Sequence, residues 1–516
     1  MLKKQFRITF SAYSVTLTIM STLIAIFGTS FFLGYFNPNF FAEYSTAAPI
    51  STVFGFIEGI NPFDEEHIEV YGNLYSVLWP GMIYLIAKLF GLASYDQIKL
   101  LMYALNAIIV MGTAAVAFYI GLRNKLNALL ALAISFTYFL ANSTNISMGE
   151  FSYSAGLSCG FFALVLVSNK FDKFGLCMAL ALITLASLFK IYFALLAIDI
   201  VLNCAAFLPL RTLIFMVCAW VIATACLFLG LSRIFPFYFD SIYIIQKLFV
   251  TWYPPRIAPN IRWFLRNFGF IFIFTLPQLI QFKQLATEEK RRQKLYAAGS
   301  LIVGVYVLFV MLPHAGNFGT YLLHIVAPIV LAYALSCRKE FAPRFERWTG
   351  QIAAVAMCIM VFVDPMFRSS PLRHWEEFGV VWGDELSSNR AVLMEVNNVI
   401  RSSAGRKIYV SPPLWPLAIK WHLWYVDNGN RYLYAEYINE RGNGTLKLSR
   451  LVSWLAAPDP KGPERVRPAD VRERADVVIC AVYCPDTHEF VRNLGILTQS
   501  FFRQSIVIKL YHKQGK

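Results

Sequence analysis

The chain has 516 residues, 57% of them hydrophobic, 16% aromatic and only 15% charged, with a net charge of +15. Soluble domains carry about a quarter charged residues. The deficit, with many apolar runs near ~20 residues in length, excludes a soluble globular protein and predicts a polytopic α-helical membrane protein. The positive charge does not indicate nucleic acid, because the Lys and Arg residues stand in short linkers between apolar runs, where they set orientation in a membrane.

The basic start, with Lys3, Lys4 and Arg7, predicts a cytoplasmic N-terminus. The first apolar run, Ala12 to Phe36, is long for a cleavable signal and lacks a small-residue cleavage site, so it reads as a retained anchor. It delivers the stretch 37–99 to the outside. The start of that stretch is too polar for hydrocarbon and its end too apolar for a solvated loop. It also gathers carboxylates: Glu43, Glu58, Asp64, Glu65, Glu66 and Glu69. The expectation is a loop resting on the membrane surface.

Leu74 to Phe90, interrupted by Pro80 and Gly81, is barely long enough to cross ~30 Å at ~1.5 Å per residue. Its placement fixes everything after it. If it lies in the outer interface, Leu100–Leu122 runs inward to Arg123 and Lys125, Ala128–Leu140 outward to Glu150, and Phe151–Val167 inward to Lys170 and Lys173. Phe174–Phe189 then runs outward to Lys190, Ile191–Leu210 inward to Arg211, and Thr212–Leu231 outward. Trp263–Ile280 enters again to the cluster Lys290–Lys294, Leu295–Leu312 leaves to His314, Tyr321–Ser336 enters to Arg338 and Lys339, and Gln351–Val363 leaves. Every strongly basic linker is then inside, whereas a crossing by Leu74–Phe90 would move them all out. The charge pattern therefore predicts about eleven spans and an external C-terminal domain.

The external loop from Arg233 to Arg262 is the exception, with Arg233, Lys247, Arg256 and Arg262 among many aromatics. Positive charge there suits an anionic lipid headgroup, either a bound substrate or ordinary phospholipid. The membrane domain is expected over residues 1–366. Residues 367–516 change character, with Pro-rich linkers, β-like runs (KIYVSP, ADVVICAVY, SIVIKLYHK) and helical spacing over Arg390–Ser402, which predicts a small α/β domain. No phosphate-cradling Gly-rich loop, HExxH or GxSxG occurs in it, so it reads as a stabilising or acceptor-docking module. Six of the nine cysteines, Cys159, Cys177, Cys204, Cys218, Cys226 and Cys358, stand in apolar runs as small hydrophobes. Cys480 and Cys484 have a spacing open to a disulfide or to a buried strand.

Polar features stand at the external ends of several spans: Glu43 after the first, Glu150 before Phe151, Lys190, and His314, Asn317, Tyr321 and His324 around the tenth. Two carboxylates, an ammonium and aromatic or imidazole donors on one face form a candidate site. Carboxylates can take a proton from an acceptor hydroxyl, and Lys or Arg can hold a leaving phosphate.

These residues carry a resemblance. An acid after the first span, then GINPFD, then VYGNLYSVLWPGMIYLIAKLFG, resembles the first external loop of membrane glycosyltransferases of the GT-C type, such as protein O-mannosyltransferases and the aminoarabinose transferase of lipid A. Glu150, Lys190 and Asn317–Tyr321 match further short motifs. The resemblance covers about the first two-thirds of the chain. The family usually has Asp where Glu43 and Glu150 stand and Pro where Asn73 stands. It implies sugar transfer on the periplasmic side of a bacterial inner membrane, from a polyprenyl-phosphate-linked donor to a lipid, glycan or protein hydroxyl, with inversion. Glu43 would be the base and Glu150 would orient the acceptor. Lys190, Arg256 and Arg262 would bind the donor phosphate. Tyr44, Asp64, Tyr71, Tyr75, His314, Asn317, Tyr321 and His324 would contact substrate. No cofactor is expected, and the family has both metal-free and metal-using members.

Two other classes compete. A lipid-linked-sugar transporter or flippase would draw on Asp199, a carboxylate deep in a span, although a hydrogen bond to Asn203 one turn on would also explain it. A non-catalytic subunit of an envelope polysaccharide assembly system is the third.

Overall fold

The computed structural model describes residues 44–64, 77–147, 151–169, 172–236, 254–275, 287–312, 320–335 and 348–357, four strands in the C-terminal part, and a few isolated positions. The membrane part is helical. Its helices are α1 (Tyr44–Ile57), α2 (Leu78–Phe90), α3 (Tyr95–Arg123), α4 (Ala128–Ser147), α5 (Phe151–Asn169), α6 (Lys173–Phe189), α7 (Leu196–Cys204), α8 (Leu210–Ile234), α9 (Ile257–Phe268), α10 (Thr287–Tyr306) and α11 (Thr320–Leu335). Short 3-10 segments precede α7 and α9 and follow α9. Among the described residues, three stretches are long and apolar enough to cross a membrane: Gln97–Arg123, Leu210–Ile234 and Gln293–Met311. Shorter apolar helices pack around them, so the chain is a helical, membrane-associated protein.

Local chemistry explains the helix limits. Ser94 and Gln97 form a capping box at the start of α3, each side chain bonding the other's backbone N–H. Asp172 accepts from the Gly175 N–H at 2.6 Å to open α6. Gly91, at φ 65°, ends α2 in the left-handed region that costs glycine least.

Helix α2 is 13 residues long, about 20 Å at ~1.5 Å per residue, too short to cross the hydrocarbon. It buries Trp79, Ile83 and Ala87 and exposes Leu85, Leu89 and Phe90. A helix apolar on both its packed and its exposed face belongs against lipid. Helix α8 is likewise apolar on its exposed side, with Phe215, Ile222 and Leu229 uncovered.

The stretch expected to be a surface loop is partly helical. Ile50, Val53, Phe54 and Ile57 recur at helical spacing, and the first three are buried along α1. The next turn carries Asn61, whose Nδ2 donates to the Ile234 carbonyl at the end of α8 at 2.9 Å. Phe63 meets Phe235 and Tyr238 edge to face at 5.6 and 5.7 Å. Burial raises the Tyr238 phenol above its ordinary range, opposed by its hydrogen bond with the Val77 backbone. The stretch after α1 is thereby fastened to the end of α8. At the other end of the bundle, Asn124 Nδ2 donates to the Leu335 carbonyl at 2.6 Å, joining the α3–α4 linker to the end of α11.

The run Ile191–Leu210, expected as one span, is broken. Lys190 is extended (φ −153°, ψ 120°), Ile191–Leu195 forms a 3-10 turn, and α7 has only nine residues. Helix α5 allows the break to nest against it. A Cβ on Gly156 would strike the Phe193 ring, 2.7 Å from Cδ2, and one on Gly160 would lie 2.6 Å from Leu196 Cδ1. Small residues four apart bring the two segments together.

In the C-terminal part, strands β1 (Ile408–Val410), β2 (Val477–Ala481), β3 (Ile496–Phe501) and β4 (Gln504–His512) form one sheet in the order β1-β2-β4-β3. Strands β1 and β2 are parallel and the other pairs antiparallel. Phe501 pairs with Gln504 across a two-residue hairpin loop. Three strands match the β-like runs; β3 was not expected. The expected helix over Arg390–Ser402 lies almost wholly outside the described residues, as do Cys337, Cys358 and Cys484. Cys159, Cys177, Cys204, Cys218 and Cys226 are free thiols.

Candidate functional site

The break at Lys190 assembles a cluster from three separate parts of the chain. The Lys190 N–H still bonds the Ala186 carbonyl at 2.9 Å, and its own carbonyl accepts from Phe193 at 3.0 Å. The half-buried ammonium lies 4.2 Å from the centre of the Tyr153 ring near the start of α5. That contact is a cation–π interaction, worth ~0.5–2 kcal/mol depending on exposure.

Helix α11 completes the arrangement. His324 is 1% exposed, and its Nδ1 lies 2.8 Å from the Tyr192 hydroxyl. Its ring is 4.8 Å from that of Tyr153 and parallel to that of Tyr192. Tyr321, one turn earlier, meets Tyr192 edge to face at 5.2 Å. Trp79, at the start of α2, reaches Phe189, the residue before Lys190, at 6.4 Å. The start of α2, the end of α6 and the start of α11 therefore meet at one level.

Deeper in α4 and α5, Tyr138 and Ser158 share a hydrogen bond of 2.5 Å, Ser158 donates to the Ser154 carbonyl at 2.8 Å, and Asn142 donates to the Tyr138 carbonyl at 3.0 Å. This polar ladder fixes α4 against α5 below Tyr153.

Of the expected site residues, Lys190, Tyr321 and His324 come together. Arg256 and Arg262 are exposed, in and just after the 3-10 turn Pro254–Arg256, and no bond joins them to Lys190 among the described residues. Helix α9, which carries Arg262, does pack against α11, and Asn260 Nδ2 donates to the Leu312 carbonyl at 3.5 Å. Asp64 is half-buried beside Phe63. Tyr44 begins α1, but its side chain is outside the description, as are Glu43, Tyr71, Tyr75, Glu150, His314 and Asn317 altogether. Among the described residues no three His, Cys, Asp or Glu side chains gather as a metal-ligand set.

Tyr153 and Tyr192 were not anticipated. Their signal was adjacency, since Tyr153 stands three residues after Glu150 and Tyr192 two after Lys190. Tyrosines at span ends read first as interfacial anchors, which masks any other role. Chemically, one ammonium, three phenols and one imidazole can bind an anion and present flat faces to a sugar ring.

No protein-family model matches the chain, and neither curated proteins nor solved structures give a match.

Proposed function

We propose that this chain is an integral-membrane glycosyltransferase that moves a sugar from a polyprenyl-phosphate-linked donor to a hydroxyl acceptor. The observation that carries the reading is the cluster of Lys190, Tyr153, Tyr192, Tyr321 and His324, at the level where the external stretch packs. In this reading the chain has about eleven spans, sits in a bacterial inner membrane, and holds both the site and the C-terminal α/β domain on the periplasmic side.

The acceptor oxygen attacks the anomeric carbon as the bond from that carbon to the phosphate oxygen breaks. Polyprenyl phosphate leaves with the bonding electron pair, and the acceptor proton passes to the Glu43 carboxylate. Lys190 neutralises the departing phosphate, with Arg256 and Arg262 drawing the headgroup to the membrane surface. Glu150 orients the acceptor, and the tyrosines and His324 pack against the sugar.

A lipid-linked-sugar transporter is the second reading, favoured by the broken span and the buried Asp199. A transfer assay separates the two. Membranes containing the protein, given a radiolabelled lipid-linked donor and an envelope acceptor fraction, should form labelled acceptor. Labelled donor that changes leaflet without chemical transfer would instead establish transport.

A further inference from the structure

Helix α7 carries a carboxylate that the cluster around Lys190 does not use. Asp199 is fully buried and Asn203, one turn on, is 1% exposed. Ser300 of α10 donates its hydroxyl to Asp199 Oδ1 at 3.3 Å, and this is the bond found, in place of the one expected with Asn203. Asp199 Oδ2 and Asn203 Oδ1 are buried without a hydrogen-bond partner. Two orphaned acceptors on one helix face leave a place for a cation or a proton, since a buried carboxylate left charged and unpaired is strongly destabilising.

The backbone is shaped to the same place. A Cβ on Gly299 would lie 2.5 Å from Asp199 Oδ1 and 3.3 Å from its Cα, so α10 approaches the carboxylate as closely as glycine permits. Helix α7 is bounded by a 3-10 turn before it and a turn after it. Broken helices at membrane depth are where transport proteins hold small cations.

We propose that Asp199, Asn203 and Ser300 form an intramembrane binding site for a monovalent metal cation, with sodium as the ion to test. All the available ligands are oxygens, which suits a hard cation. One carboxylate with a neutral amide and hydroxyl balances a single positive charge, whereas a divalent ion would leave net charge in a low-dielectric interior. The site is independent of the glycosyltransferase reading.

The test is the melting temperature of the full-length protein in lipid nanodiscs, with sodium chloride exchanged for choline chloride at constant ionic strength. Wild type should show a saturable rise on the order of a few degrees, because an ion bound only by the folded state stabilises it. Asp199→Asn should lose the sodium response, and Ser300→Ala should shift half-saturation several-fold upward. A wild-type curve indifferent to sodium overturns the site, as does an equal response in Asp199→Asn. A response to lowered pH without one to sodium means that the carboxyl takes a proton, and it overturns the metal assignment. Should Asp199→Asn fail to insert, sodium NMR relaxation of the wild type decides, and relaxation that does not saturate with protein present refutes the proposal.

Discussion

Lys190→Met isolates the charge at the centre of the cluster. Methionine keeps an unbranched apolar stem, so packing beside Tyr153 is largely retained while the ammonium 4.2 Å from that ring is lost. The stability cost includes the cation–π contribution, ~0.5–2 kcal/mol. The functional cost is larger. A charge-assisted hydrogen bond to a phosphate contributes ~1.5–3 kcal/mol, and at ~1.4 kcal/mol per factor of ten its loss should raise donor KM about 10–100-fold. The acceptor KM should stay within about twofold, because no acceptor contact is assigned to Lys190. Lys190→Arg should recover part of the activity, as the charge survives in a different geometry. The assay is steady-state transfer by purified protein with the donor varied at saturating acceptor, alongside melting curves in nanodiscs. An unchanged donor KM in a folded Lys190→Met protein would refute the phosphate role and leave Lys190 a snorkelling interfacial lysine.

Three further outcomes are expected. Glu43→Gln should fold and bind donor yet lose about 10²–10⁴ in kcat, as removal of a general base does; wild-type turnover in Glu43→Gln beside a dead Glu150→Gln would move the base to Glu150. Single cysteines at Glu150 or Asn443 should react with an impermeant thiol reagent in sealed right-side-out vesicles, and cysteines at the exposed Lys125 and Arg291 should not; labelling at Arg291 would break the eleven-span topology. Gly156→Val should lower the melting temperature and the activity together, by about 1–3 kcal/mol of overpacking against Phe193, whereas Gly112→Ala, whose added Cβ meets nothing within 4 Å, should be neutral or slightly stabilising.

The sequence was most legible where chemistry and topology coincide. Lys190, Tyr321 and His324 stood out as polar residues at the expected external ends of apolar runs, and these three meet around Tyr153 and Tyr192. The shortness of α2, 13 residues, followed from the length of its apolar run and simple rise per residue. Other features were hidden for physical reasons. In α1, the spacing of Ile50, Val53, Phe54 and Ile57 is helical, but the polar start of the stretch and its gathered carboxylates read as a surface loop. The break after Lys190 leaves no trace in composition, because the five residues that follow it, Ile191–Leu195, are as apolar as a continuous span. Gly156 and Gly160 on another helix make room for it, and only the packing discloses that. The partner of Asp199 was sought one turn away in Asn203, yet it came from Ser300, about a hundred residues along the chain.

The break also bears on where the cluster meets water. Irregular backbone at membrane depth is tolerated only when buried in protein or facing an aqueous cavity, since lipid satisfies no N–H or carbonyl. The 3-10 turn Ile191–Leu195 divides itself between these conditions. Phe193 is fully buried against α5, which covers one side. Lys190 and Tyr192 remain partly exposed on the other. Leaving an ammonium against hydrocarbon costs several kcal/mol, so a half-buried one at a membrane surface is best placed toward water or headgroups. In the proposed reading, the partly exposed side of the turn would face headgroups or a hydrated cavity rather than acyl chains. An anionic headgroup entering there would find the Lys190 charge first, then the phenols of Tyr153 and Tyr192, and last the buried imidazole of His324.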